Sequence, residues 1–410
     1  MRMTDLPILA ACTLGIALHI QNILTPMPIN HVYQRLAVLT EGSLDIFRNK
    51  TAMNLLRFRP EDVVCVIDTK HSGGNLETLT GIPASVPIVA SIAEAVRLQA
   101  QWLVIGVATP GGYLPPSLRP QVYEAIRNRI GVISGLHESV DGDPNLVALA
   151  ARFAVELVNL RKVGDDHSIS TGKARKTKAL RLLTVGTDTN IGKTTTTLSL
   201  ARHLKAAKVP ARMVATGQDG ILITGRGLCI DRVISDFCGG AVEHLILHEA
   251  KGADLLVIEG QNSILSPCYS GSALSLLHGS CPDAMILCHA PARTMLRHTD
   301  VPMPSLSTYI HLYEAMLKPI YPTGKVVSIA LNTMGMEPAD AAAAAAAAEK
   351  ETGLPVADPV RDGEAGCAKL LAPVLAMGLA KNKVNAAAKS AKPAKAVRAA
   401  TTTKAKTRKV

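Results

Sequence analysis

The sequence predicts two α/β domains: a Rossmann-like, doubly wound parallel sheet over residues 33–163 and a P-loop NTPase-like domain over 181–380. Three observations carry this. Apolar runs of strand length alternate with helical stretches in both halves, and glycine-rich turns follow several of the strands. One of those turns, within "VGTDTNIGKTTTTLSLARHL" (185–204), has the form of a phosphate-binding loop. At 410 residues and 48% hydrophobic, the chain can bury two cores of ordinary size.

Residues 1–32 read as an extension ahead of the first domain. Within it, "LPILAACTLGIAL" (6–18) has the look of an export-signal apolar stretch. It is short for a membrane span, its only early cation is Arg2, and no small-residue cleavage site follows. In the first domain, "DVVCVID" (62–68), "WLVIGVA" (102–108) and "IGVISGLHE" (130–138) read as strands. "SIAEAVRLQA" (91–100) and "LRPQVYEAIRNR" (118–129) have helical spacing. Parallel sheets bind ligands at the carboxyl ends of their strands, which puts Asp68, Gly111-Gly112 and His137-Glu138 on one candidate rim.

Residues 164–180 are polar and basic and read as a linker. The second domain opens with a strand over 181–185. Further strands are expected at "ARMVAT" (211–216), "DLLVIEG" (254–260), "DAMILCH" (283–289), "KVVSIALN" (325–332) and "GLPVADPV" (353–360). "ADAAAAAAAAEKE" has high helix propensity. Residues 381–410 are Ala/Lys/Thr-rich, with almost no large apolar side chains, and are expected to be disordered.

Composition excludes several classes. The net charge is +11, but residues 381–410 hold ten Lys/Arg and no acid, so the other 380 residues are close to neutral. A body this neutral, with only 3% aromatic residues, argues against specific nucleic-acid recognition. No membrane partner is expected. The eight cysteines are scattered without a CxxC pair, several in apolar runs, as in a reduced cytoplasmic protein. His244 and His248 share a helix face but lack a third ligand nearby, so no metal site is read there.

The loop is the strongest chemical signal. Phosphates need convergent backbone N–H donors, a helix N-terminus and a cation. The run Gly186, Thr187, Asp188, Thr189, Asn190, Ile191, Gly192, Lys193, Thr194 supplies all three. Lys193 brings the charge and Thr194 a hydroxyl suited to Mg²⁺. Five residues separate Gly186 from Gly192, where the common pattern has four.

The form "GTDT..GKT" resembles the loop of dethiobiotin synthetase, an ATP-dependent ligase. That likeness implies that Glu259, ending "LLVIEG", holds Mg²⁺ with Thr194, and that Asn332 reads adenine. Asp188 is then a second metal-side carboxylate. A broader resemblance covers about residues 33–375. It rests on "GVATPGGYLPPSLRP", "SGLHE", "VATGQDGILITGRG", "VIEGQNSILSPCYSGSALSLLHGS", "LCHAPAR" and "GLPVADPVRDG". These are together similar to a bacterial two-domain P-loop family that includes a D-glutamate N-acetyltransferase. The resemblance implies acetyl transfer from acetyl-CoA to the amino group of a D-amino acid, D-glutamate first, in D-amino-acid catabolism.

A phosphate loop can grip the phosphates of coenzyme A without hydrolysis. Amine acylation then needs a neutral amine, a base and oxyanion donors. His289, His278 and Glu259 are the candidate proton acceptors, with the two histidines unranked. Arg293 is the candidate carboxylate clamp, and Gln261 and Tyr269 are further substrate contacts. Two alternatives stay open: an ATP/Mg-dependent carboxylate ligase, and a nucleotide-binding regulator whose basic tail contacts nucleic acid. Oligomeric state is open, and a homo-oligomer is allowed.

Overall fold

The computed structural model describes residues 31–42, 44, 49–164 and 168–390. The expected extension, apart from His31 and Val32, and the expected tail from 391 onward lie outside the described residues. His31 N–H donates to the Gly225 carbonyl at 2.9 Å, so the two residues ahead of the first domain are tied to the second.

The first sheet comprises β1 (Leu36–Leu39), β2 (Val63–Ile67), β3 (Ile88–Val89), β4 (Trp102–Ile105), β5 (Gly131–Ser134) and β6 (Leu157–Asn159). Their order is β3-β2-β1-β4-β5-β6, and every pairing is parallel. The winding direction reverses between β1 and β4, which leaves a crevice at their carboxyl ends. Strands buried on both faces need continuous apolar sequence, and "LAVL" of β1 is buried throughout. β3 and β6, of two and three residues, are too short to stand out in the sequence. Helix α1 (Lys50–Phe58) follows β1. The remaining first-domain helices are α2 (Leu76–Thr80), α3 (Ile92–Arg97), α4 (Arg119–Arg127) and α5 (Pro144–Phe153).

The second sheet comprises β7 (Leu180–Gly186), β8 (Ala211–Val214), β9 (Leu255–Ile258), β10 (Ala284–His289), β11 (Lys325–Leu331) and β12 (Val356–Ala357). Its order is β12-β11-β10-β7-β9-β8, again wholly parallel. Its helices are α6 (Lys193–Ala206), α7 (Gln218–Thr224), α8 (Ser235–Glu249), α9 (Ser270–Ser280), α10 (Leu306–Leu317), α11 (Pro338–Thr352) and α12 (Gly363–Ser390). The segment 168–179 is not a free linker. The Glu243 carboxylate accepts from the backbone N–H of Thr171 at 3.1 Å and of Lys173 at 2.6 Å. The expected tail also needs correction at its start, because α12 continues to Ser390. Alanine and lysine carry helix propensity, which extends a helix already begun by core-packed residues.

One core cluster spans the two domains, beside cores that each has to itself. Leu36, Val38, Leu55 and Leu56 of the first cluster with Leu198, Met213, Ile221 and Leu222 of the second. Polar bonds cross the same boundary. Thr51 Oγ1 donates to Asp219 Oδ1 at 2.6 Å, Thr195 Oγ1 to Asn54 Oδ1 at 3.2 Å, and Arg59 Nη1 to the Leu222 carbonyl at 2.9 Å. Leu222→Ala, at a side chain 1% exposed, is therefore expected to cost about 2–5 kcal/mol. Calorimetry should record one lowered transition for the whole protein. A first-domain transition left at its wild-type temperature would show that the halves melt independently.

Candidate functional site

The carboxyl ends of both sheets face one cleft of about 2020 Å³ between the domains. Thr40 after β1, Thr109 and Gly111-Gly112 after β4, and His137 after β5 line the first wall. Thr189 to Thr196, Gly260, Gln261, Asn332 and Asp358 to Arg361 line the second. The crevice of the first sheet therefore opens onto the phosphate-binding loop of the second.

The loop joins β7 to α6. Gly192 caps α6 at φ 106, a conformation that disfavours any side chain. Thr189, Asn190, Ile191, Gly192, Lys193 and Thr194 reach the cleft wall. Gly186, Thr187 and Asp188 are buried behind it. Tyr313 of α10 braces the loop from below, its hydroxyl donating to the Gly186 carbonyl at 2.9 Å. Lys193 Nζ curls back to the Asp188 carbonyl at 2.6 Å, and burial pulls its pKa down to about 8. A phosphate entering the loop would offer that ammonium a better partner.

Glu259 follows β9 and is 1% exposed. Its Oε1 accepts from Thr194 Oγ1 at 2.7 Å; its Oε2 accepts from Thr216 N–H at 2.9 Å and Gly217 N–H at 3.2 Å. A Cβ on Gly220 would lie 2.5 Å from Oε2, so the carboxylate fits only against a bare backbone. Burial raises its pKa to about 7, against the hydrogen bonds that favour its charged form. Thr194 and Glu259 form a hard-oxygen pair that suits Mg²⁺ only when phosphate or water completes the shell.

Several expected roles change. The Arg293 guanidinium bonds Asp188 Oδ2 at 3.0 Å and the Thr189 carbonyl at 2.5 Å. It braces the loop rather than standing open to a substrate carboxylate. Asp188 also accepts from Thr189 N–H and Arg297 N–H, at 2.7 and 2.8 Å, so its carboxylate is turned to the loop backbone and Arg293 behind the cleft wall. His289 Nδ1 lies 3.0 Å from Thr187 Oγ1, behind the loop. Burial lowers its pKa to about 4, and its place behind the loop keeps it off the cleft wall. His278 occupies the last turn of α9, beyond the strand ends, with Nε2 3.1 Å from the Met316 carbonyl. On the first rim, Asp68 is fully buried against Thr40 and His71, and Glu138 binds Leu114 N–H and Arg119.

Other expected residues do meet in the cleft. Asn332 Nδ2 would come within 3.5 Å of a Cβ on Gly192, so its amide stands beside the loop. Gln261 Nε2 donates to Thr216 Oγ1 at 3.2 Å, and the exposed Tyr269 lies on the same wall. The sequence reading missed the contribution of α1. Lys50, Met53, Asn54 and Arg57 form a stripe at i, i+3, i+4 and i+7 that lines the cleft. The spacing was the available signal. His137 is the histidine of the first wall, with Nε2 3.8 Å from Asp231 Oδ2 of the second domain. Burial lowers its pKa, with the neighbouring Arg161 adding to the effect.

Comparison with known proteins covers both walls. Residues 69–163 match the Rossmann-like domain, and 168–368 the P-loop domain, of a family described as DUF1611, of unknown function. A D-glutamate N-acetyltransferase from Pseudoalteromonas sp is 38% identical over 77% of this chain and 91% of its own. Another, from Tritonibacter scottomollicae, is 34% identical over 80% of this chain and 96% of its own. A crystal structure of a DUF1611 family protein from Anabaena variabilis is 36% identical, with a TM-score of 0.76, over 83% of this chain and 99% of that one. Among the described residues, no helix is long and apolar enough to cross a membrane.

The raised pKa of Glu259 has a consequence for stability. The folded state holds this proton more tightly than the unfolded chain, so the contribution of Glu259 to stability is greatest below about 4.5 and is lost as pH rises toward 7. Glu259→Gln keeps an acceptor for the two amides and removes the buried charge. It is expected to raise stability at pH 8 by on the order of 1–3 kcal/mol, and to change little at pH 4. Thermal melts at both pH values test this; a lower melting temperature at pH 8 contradicts it.

Proposed function

The chain belongs to the DUF1611 family, and from that premise we propose that it transfers the acetyl group of acetyl-CoA to the amino group of a D-amino acid, D-glutamate first. The observation that carries this is the span of the likeness to two D-glutamate N-acetyltransferases: it runs through both walls of the cleft, not through the phosphate loop alone.

In this reading the loop amides, Lys193 and Thr194 bind the pyrophosphate of coenzyme A. Mg²⁺ on Thr194 and Glu259 would screen phosphate charge. The acetyl thioester then lies a pantetheine arm away, so Glu259 serves the phosphate end and not the reacting amine. The first-domain rim is the natural reaction end, and His137 is its proton acceptor. A neutral imidazole takes the proton of the substrate ammonium. The freed amine attacks the thioester carbonyl, the C–N bond forms, and the C–S bond breaks. Coenzyme A leaves as a thiolate and is protonated to the thiol. Gln261 and Tyr269 are the acceptor contacts of the opposite wall.

Incubation with acetyl-CoA and D-glutamate is expected to release free thiol and the N-acetyl product, with L-glutamate much slower. The Thr194–Glu259 pair also suits Mg-ATP, so ADP is measured in parallel. ADP formation with a carboxylate substrate and no thiol release would favour the ligase instead. His137→Gln is expected to lower kcat by roughly 100-fold or more with KM for acetyl-CoA little changed. An unaltered kcat would remove His137 from the proton transfer.

A further inference from the structure

The cleft holds more cationic groups than one pyrophosphate requires, and most already have partners. Lys193 bonds the Asp188 carbonyl. Lys50 Nζ is 3.7 Å from Asp219 Oδ2. The Arg361 guanidinium bonds Thr333 Oγ1 at 2.8 Å and the carbonyls of Thr333 and Met336 at 3.1 and 2.7 Å. Arg57 and Arg297 also line the cleft, and neither guanidinium makes a hydrogen bond or ion pair with any described residue; Arg297 is exposed, whereas Arg57 is half-buried on the cleft wall. Its pKa is lowered by burial, with Arg202 adding to that and Asp358 opposing it. A guanidinium partly stripped of water, near the Asp358 carboxylate but not hydrogen-bonded to it, keeps its donors for an incoming anion.

Helix α1 fixes where that anion would lie. At its start, Thr51 and Lys50 contact Asp219. One turn on, Asn54 accepts from Thr195, in the first turn of α6. Arg57 follows one turn later, roughly 10 Å along the axis from Lys50. There it shares the end of the cleft with Asn332, Asp358 and Arg361. A diphosphate on the loop therefore has two ways to extend along α1. Toward Lys50 lies Asp219, and the Lys50 charge also acts on His137; toward Arg57 lies Asp358, just after β12, and Asn332, just after β11, lines the same cleft. A nucleoside placed on that side would bring a phosphomonoester on its ribose toward Arg57.

Resting on the acetyl-CoA reading above, we infer that Arg57 is a second anion site, separate from the phosphate loop, that binds the ribose 3′-phosphate of coenzyme A and so distinguishes it from nucleotides lacking that group. The pairing is bidentate in type, a planar guanidinium against a phosphate dianion. It gives the first domain a direct part in choosing the donor, although the phosphate loop belongs to the second. It also orients the donor, with adenosine toward β12 and the thioester toward His137.

The test compares coenzyme A with 3′-dephospho-coenzyme A by calorimetry on the full chain, then on Arg57→Ala and Arg57→Gln. The wild type is expected to prefer coenzyme A by roughly 10- to 100-fold. Both variants should lose that preference while keeping wild-type affinity for the dephospho form, which also shows that they are folded. Equal binding of the two ligands to the wild type overturns the inference and leaves the acetyl-transfer reading intact. Absence of coenzyme A binding overturns both. A variant that keeps the preference but needs more D-glutamate assigns Arg57 to the acceptor's carboxylate and overturns the 3′-phosphate site.

Discussion

One buried carboxylate ties the architecture together. Glu259 meets the first turn of α6 through Thr194 and the turn after β8 through two backbone amides. That turn leads into α7, whose Asp219 receives Thr51 of the first domain. Loop, central strand and domain contact are thus joined through two oxygens. Such a group is costly to bury, and its elevated pKa is the mark of that cost. Glycine at 220 leaves room for the carboxylate against the backbone of α7, and glycine at 217 leaves room for the Gln261 amide.

Around this connection, two sheets with ordinary winding produce a site that neither has alone. Each presents loops at its carboxyl edge, and the shared core sets the edges against each other. The phosphate loop supplies a fixed anion grip, and α1 supplies a second wall carrying Lys50, Asn54 and Arg57. In the proposed reading, separating phosphate recognition from the reacting end lets a nucleotide-type grip serve group transfer in which no phosphate bond breaks.

The phosphate loop was legible in the sequence because its determinants are contiguous: strand, glycine turn, Lys193-Thr194, helix. The place of Gln261 on the cleft wall was legible for a similar reason, as a neighbour of a strand end. Arg293 and His289 were misread because their partners lie about a hundred positions earlier, in the loop itself. A strand-end location predicts nearness to the site but not on which side of it the side chain falls. Helix α1 was missed since its significance comes from docking; its polar stripe has meaning only once α6 and α7 face it. The start of the tail was misjudged because composition without apolar residues argues against a core but not against continuing an existing helix.

The core shared between domains also bears on how the chain is made. Residues of β1 and α1 emerge from the ribosome well before Ile221 and Leu222, which cover them. About 60 residues separate the end of the first domain from the end of α7, a delay of roughly 3–12 s at ordinary translation rates. Throughout that interval the nascent half displays an uncovered apolar face. A product truncated near residue 165 would keep that face uncovered, so it is expected to be less stable and more readily proteolysed than the full chain.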